Sequence, residues 1–145
     1  MKKVLMTLAI AISSLIAFAG EDNVSKDVLS AFNKEFNGAK EVRWTTGSDF
    51  YKAIFVLNDQ YITAFYKKEG EFLGMTRNIS SLNLPLKLQA KIRSDYAEFW
   101  ISDLFELSDN DGTHYYITVE NADSKVLLKS SDNTEWNIFK KMSKV

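Results

Sequence analysis

The sequence repeats itself at a fixed offset. The stretch Tyr51 to Tyr66, YKAIFVLNDQYITAFY, returns as Tyr115 to Ser130, YYITVENADSKVLLKS. Tyr51 and Tyr115 stand 64 positions apart, and so do Asp59 and Asp123, and Glu71 and Glu135. Such a repeat limits the chain to two copies of one small architecture. The first copy reads as strand, two-residue turn at Asn58-Asp59, strand, because Asn and Asp tolerate the positive φ that a tight hairpin turn needs. That turn opposes Tyr51 to Tyr66, Ala53 to Ala64 and Phe55 to Ile62 on one face. Lys52/Phe65, Ile54/Thr63 and Val56/Tyr61 then share the other face.

A helix precedes each hairpin. Val24, Val28, Phe32 and Phe36 recur at every fourth position, and Asn37-Gly38 is a stop signal. Leu84, Leu88, Ile92 and Tyr96 repeat this stripe 60 positions later, with Pro85 suited to the first turn. The offset is 60 in the helices and 64 in the hairpins, so four extra residues lie between Tyr96 and His114. A first strand follows each helix, Lys40 to Thr45 and roughly Trp100 to Leu107. A fourth strand closes each unit, Phe72 to Arg77 and Trp136 to Lys140. Short turn signals between strands favour antiparallel pairing. The expected fold is α+β: a tandem of two helix-plus-four-strand units over 20–80 and 81–145. The antiparallel sheet carries helices on one face and leaves the other open.

The open face follows from composition. Tyr51, Ala53, Phe55, Ile62, Ala64 and Tyr66 are apolar with two small central residues, which suits close approach of a helix. Tyr115, Ile117, Val119, Val126, Leu128 and Ser130 match them in the second unit. The opposite faces are mixed, and Glu120 faces Lys125 across strands, a pairing suited to a solvated sheet. An antiparallel sheet tolerates water on one side.

Residues 1–19 read as an export signal. Lys2 and Lys3 precede an apolar run from Val4 to Ile16, and Ala17-Phe18-Ala19 forms a small-residue cleavage site before Gly20. The run is short for a span, which needs about 20 apolar residues. A periplasmic or secreted product is expected, with no stable membrane insertion after cleavage. Cysteine is absent, so neither disulfides nor thiolate metal sites are available. Without Lys2 and Lys3 the 18 basic residues fall to 16 against 19 acidic ones, a net of −3 that argues against nucleic acid as a partner.

The residues identify no reaction chemistry. His114 is the sole histidine, and no G-x-S-x-G elbow accompanies it. It is expected on the surface, at the start of a strand on the open face. A zinc site needs three or four nitrogen or sulfur ligands, which one histidine and no cysteine cannot supply. Asp109-Asn110-Asp111-Gly112 has the look of a calcium loop, but Leu107 and Thr118 would fill its first and twelfth positions. No cofactor is implied.

The order of aromatic and apolar positions resembles a known family. Phe32, Phe36, Val42 and Trp44 are followed by Tyr51, Phe55, Ala64 and Tyr66, then Gly70, Thr76-Arg77, Leu84-Pro85, Ile92, Tyr96 and Tyr115-Tyr116. This pattern is similar to the PepSY-like family of small exported bacterial proteins, common in the Bacteroidetes and grouped with the fold of β-lactamase inhibitor protein. The resemblance implies a tandem of two helix-plus-four-strand units, an envelope or secreted location and no established general activity. The inhibitor that names the fold grips its enzyme with the open side of its sheet, an analogy of fold alone. Two positions depart from the repeat: Thr134 stands where the first unit has Gly70, and Ser130 where it has Tyr66.

The expected function is a non-enzymatic binding module for a protein or peptide, an inhibitor or sensor of an envelope enzyme. Lys52, Ile54, Val56, Tyr61, Phe65, Tyr116, Leu127 and Lys129 form the candidate binding set on the open face. A second copy of the chain, or the chain's own C-terminal segment, is another occupant the sequence allows there. The alternative is a carrier of a small apolar ligand, with a cavity around Ala53, Ala64 and their aromatic neighbours.

Overall fold

The computed structural model describes residues 17–144. The basic and apolar part of the expected export signal, through Ile16, lies outside the described residues. The chain divides into two compact units, Met1–Leu73 and Gly74–Val145. Each is α+β, with antiparallel strands and one α-helix.

In the first unit, strands β1 (Ala17–Ala19), β2 (Lys40–Thr46), β3 (Phe50–Leu57) and β4 (Gln60–Lys67) pair in sequence order. Helix α1 (Lys26–Glu35) starts where Ser25 caps it, its side chain accepting from the Val28 amide at 3.4 Å. The Ser25 hydroxyl donates in turn to the Lys68 carbonyl at 3.0 Å, tying the helix start to the turn after β4. Gly70 in that turn has φ +99°, and a Cβ there would meet the Asp27 backbone at 3.3 Å. Only glycine satisfies both conditions. At the other end of α1 the Phe36 amide bonds the Phe32 carbonyl, and Gly38 follows at φ +88°.

The β3–β4 hairpin has the expected register, Tyr51↔Tyr66, Ala53↔Ala64 and Phe55↔Ile62. Asn58 and Asp59 both take positive φ, 50° and 61°. Phe32 of α1 lies edge-on to Phe55 at 5.0 Å and to Trp44 at 5.1 Å. Phe36 meets Phe55 at 4.8 Å. Ala53 and Ala64 are fully buried on the same face, so the helix approaches over small residues and the rings fill the space around them. This packing occupies the place where the carrier reading expects a cavity.

The second unit holds most of β5 (Phe72–Asn78), then α2 (Leu86–Asp95), β6 (Trp100–Asp109), β7 (Gly112–Glu120), β8 (Ser124–Ser130) and β9 (Asn137–Ser143). The sequence reading gives β5 to the first unit. In the structure Met75–Asn78 pair with Phe105–Ser108 of β6, inside the second unit. Leu84, Leu88 and Ile92 bury against Leu104, Tyr115, Ile117, Val119, Val126 and Leu128, as the stripe requires. The Trp136 indole donates to the Leu88 carbonyl at 3.1 Å and pins the approach to β9 onto α2.

The two units share a strand irregularity. The β2–β3 pairing shifts register between Lys40 and Arg43, and the β6–β7 pairing between Ile101 and Asp103. Trp44↔Ala53 corresponds to Leu104↔Ile117, which places the four extra residues in the tip of the β6–β7 hairpin. The turns themselves differ. Asn121 accepts from the Asp123 and Ser124 amides in place of a left-handed pair. At the position of Gly70, Thr134 stays out of the left-handed region because Asn133 takes it, at φ 64°. Asp132 accepts from the Thr134 and Glu135 amides and completes that turn.

Candidate functional site

Each helix covers one face of its unit's strands. The candidate residues lie on the other face, and strand alternation accounts for every one of them. In the first unit Lys52 opposes Phe65, Ile54 opposes Thr63 and Val56 opposes Tyr61. Tyr61 is 70% exposed, whereas Lys52, Ile54 and Val56 are half-buried. Phe65 departs from expectation: it is 2% exposed. The Phe50 ring lies 6.2 Å from it, and Lys52 opposes it. Burial holds the Lys52 pKa below its ordinary value.

In the second unit Tyr116 also departs from expectation, at 1% exposed. Phe105 stacks on it from β6, with centroids 5.0 Å apart and planes 8° apart. Phe139 meets it edge-on at 5.8 Å from β9. The Lys129 ammonium sits 5.4 Å from its centroid, a cation–π contact. Leu127 and Lys129 are half-buried, and Phe139 is 37% exposed. Sequence reasoning missed Phe105 and Phe139. Phe105 could have been found from the 60-residue offset carried into the strand; Phe139 could not, because it is the extra residue of a register shift between β8 and β9.

His114 lies on the uncovered face as expected but is buried, at 6% exposed. Its Nε2 is 3.4 Å from Asp109 Oδ1, and that oxygen accepts from the Asp111 amide at 2.8 Å. The longer β6–β7 tip creates this pair, since Asp109 and His114 sit on opposite sides of it. Among the described residues no group of three or more His, Cys, Asp or Glu is placed to hold a metal.

The perimeter of the uncovered face in the second unit is ionic. Glu120 accepts from Lys144 at 3.0 Å, and Ser102 and Lys144 hold its carboxyl below the usual range. Asn78 donates to Asp103 at 3.2 Å. Among the described residues no helix is long and apolar enough to cross a membrane.

No protein-family profile matches the chain, and no curated protein matches it. Solved structures do. A BLIP-like protein from Bacteroides fragilis NCTC 9343 aligns with TM-score 0.70 at 21% identity, over 83% of this chain and 86% of that one. A DUF2874 family protein from Bacteroides ovatus ATCC 8483 aligns with TM-score 0.73 at 20% identity, over 84% and 89%. A protein from Bacteroides eggerthii DSM 20697, whose given name assigns it provisionally to the periplasm, aligns with TM-score 0.72 at 14% identity, over 83% and 88%. At these identities the likeness concerns fold alone, and the fold of this chain is BLIP-like.

Proposed function

We propose that this chain is an exported, non-enzymatic binding module of the PepSY-like kind, which docks a protein or peptide through the uncovered faces of its strands. In this reading the two units are diverged copies of one helix-plus-four-strand design. Each offers its helix-free face to the partner, and the partner is an envelope enzyme that the module inhibits or senses. The observation that carries the reading is Tyr61, an aromatic 70% exposed beside half-buried Ile54 and Val56. A large ring left in water on a sheet face, ringed by partly covered apolar residues, is the composition of an interaction centre. Phe139 over the Tyr116 stack supplies a comparable exposed edge in the second unit. Phe65 and Tyr116 belong to the framework beneath these contacts. The BLIP-like and periplasmic names of the structural neighbours agree with this reading.

The test is a photo-crosslinking residue placed at position 61 in the native envelope, with the same residue at Lys87 on the exposed side of α2 as control. A defined adduct from position 61 and none from position 87 is expected. Equal adduct patterns from both positions contradict the reading.

A further inference from the structure

Strands β2 and β9 are not protected alike once β1 is set aside. An unpaired strand edge templates pairing with another chain unless charge, a bulge or a covering segment blocks it. Strand β9 carries Lys140 and Lys141, both exposed. The first half of β2 carries Lys40, Glu41 and Arg43, a register shift, and Glu41 at φ 53°. Its second half, Trp44-Thr45-Thr46, has no charge and no irregularity. This is the part on which β1 lies, Ala17↔Thr46, Phe18↔Thr45 and Ala19↔Trp44, antiparallel.

The backbone direction there is fixed. The Gly47 amide bonds the Phe50 carbonyl at 2.9 Å, so Gly47 faces β3. Alternation then turns the N–H and C=O of Trp44 and Thr46 outward. With β1 in place, Trp44 and Thr45 are 3% and 4% exposed. Gly20 cannot take over from β1, because its carbonyl accepts from the Asn23 amide at 3.0 Å and starts a 3-10 turn. Removal of residues 1–19 therefore leaves the outward groups of Trp44 and Thr46 without a strand.

We propose that the Trp44–Thr46 edge is a peptide-docking strand, occupied by Ala17–Ala19 before export processing and afterwards by an extended, uncharged, small–bulky–small segment of a partner protein. The occupant is specified by the segment the edge already holds: an extended Ala-Phe-Ala with no charged residue. Main-chain hydrogen bonds supply the affinity in strand addition of this kind. The inference rests on the export reading above, and it adds a second contact to the sheet-face site.

The probe is the acetylated peptide IAFAG, residues 16–20, added to protein recovered after export. Intact mass defines the N-terminus, and circular dichroism confirms folding. Saturable slowing of amide exchange by about tenfold or more at Trp44 and Thr46 is expected. The Thr46→Pro variant, which removes one outward donor at an edge position that accepts proline, should lose that slowing. A chain starting at Gly20 that shows no slowing overturns this proposal alone. Slowing that depends on protein concentration without peptide makes a second copy the occupant and overturns it also. A mass that retains Met1 overturns the export reading, and this proposal with it.

Discussion

Phe105 and Tyr116, on neighbouring strands β6 and β7, lie parallel with their centroids 5.0 Å apart and their planes 8° apart. An offset stack of this kind adds about 0.5–1.5 kcal/mol to the area it buries. With Phe139 on its edge and Lys129 near its face, Tyr116 is the centre of a small aromatic core on the side of the strands without a helix. Tyr116→Ala should therefore cost about 3 kcal/mol or more, as for large buried aromatics. Tyr61→Ala should stay within about 0.5 kcal/mol, as for a surface site. Chemical denaturation of both variants checks this.

The hydroxyl of Tyr116 is buried and makes no hydrogen bond to the described residues. Removing it leaves the stack intact and relieves a desolvated polar group. Tyr116→Phe should match or exceed the parent in stability, by up to about 1 kcal/mol. A loss larger than that in a urea titration would show that the hydroxyl has a partner.

The helix-facing side can be tested with adjacent residues. Phe55 is fully buried between Phe32 and Phe36, so Phe55→Asp should cost about 3 kcal/mol or more or abolish folding. Val56→Asp, on the opposite side and half-buried, should cost much less. Equal shifts in melting temperature would contradict the assignment of faces.

Stability should fall in alkali. Burial and then Glu35 push the Tyr66 pKa well up, and burial also raises those of Tyr96 and Tyr115. The unfolded chain ionises these phenols near pH 10. Above that pH the folded state binds more protons than the unfolded one, so its stability declines as pH rises. The contribution is whole below about pH 10 and is lost from there upward. Tyr66→Phe should flatten that decline in melts taken across the alkaline range.

The sequence carried the local geometry well. The register of Tyr51↔Tyr66 through Val56↔Tyr61 follows from a two-residue turn and alternation, both short-range rules. The stripes Val28–Phe32 and Leu88–Ile92 were legible for the same reason: one face of a helix is fixed by spacing. Depth of burial was not. Alternation assigns Phe65 and Tyr116 to a side, but Phe50, Phe105 and Phe139 decide how far each is covered, and they come from other parts of the chain. Phe139 reaches Tyr116 from within a register shift that no spacing rule gives. His114 was misjudged likewise, since Asp109 approaches it only when the lengthened hairpin closes.

The central claim is that a partner covers Tyr61. Hydroxyl-radical footprinting in intact native envelopes, compared with purified protein, reads this directly. Tyr61 and the exposed control Leu86, on helix α2 and so away from the uncovered strand face, are both open to solvent in the isolated chain, at 70% and 81%. Oxidation of Tyr61 should drop severalfold in the envelope, as for an aromatic anchor at an interface centre, while Leu86 keeps its reactivity. Equal oxidation of Tyr61 in the envelope and in purified protein would contradict it.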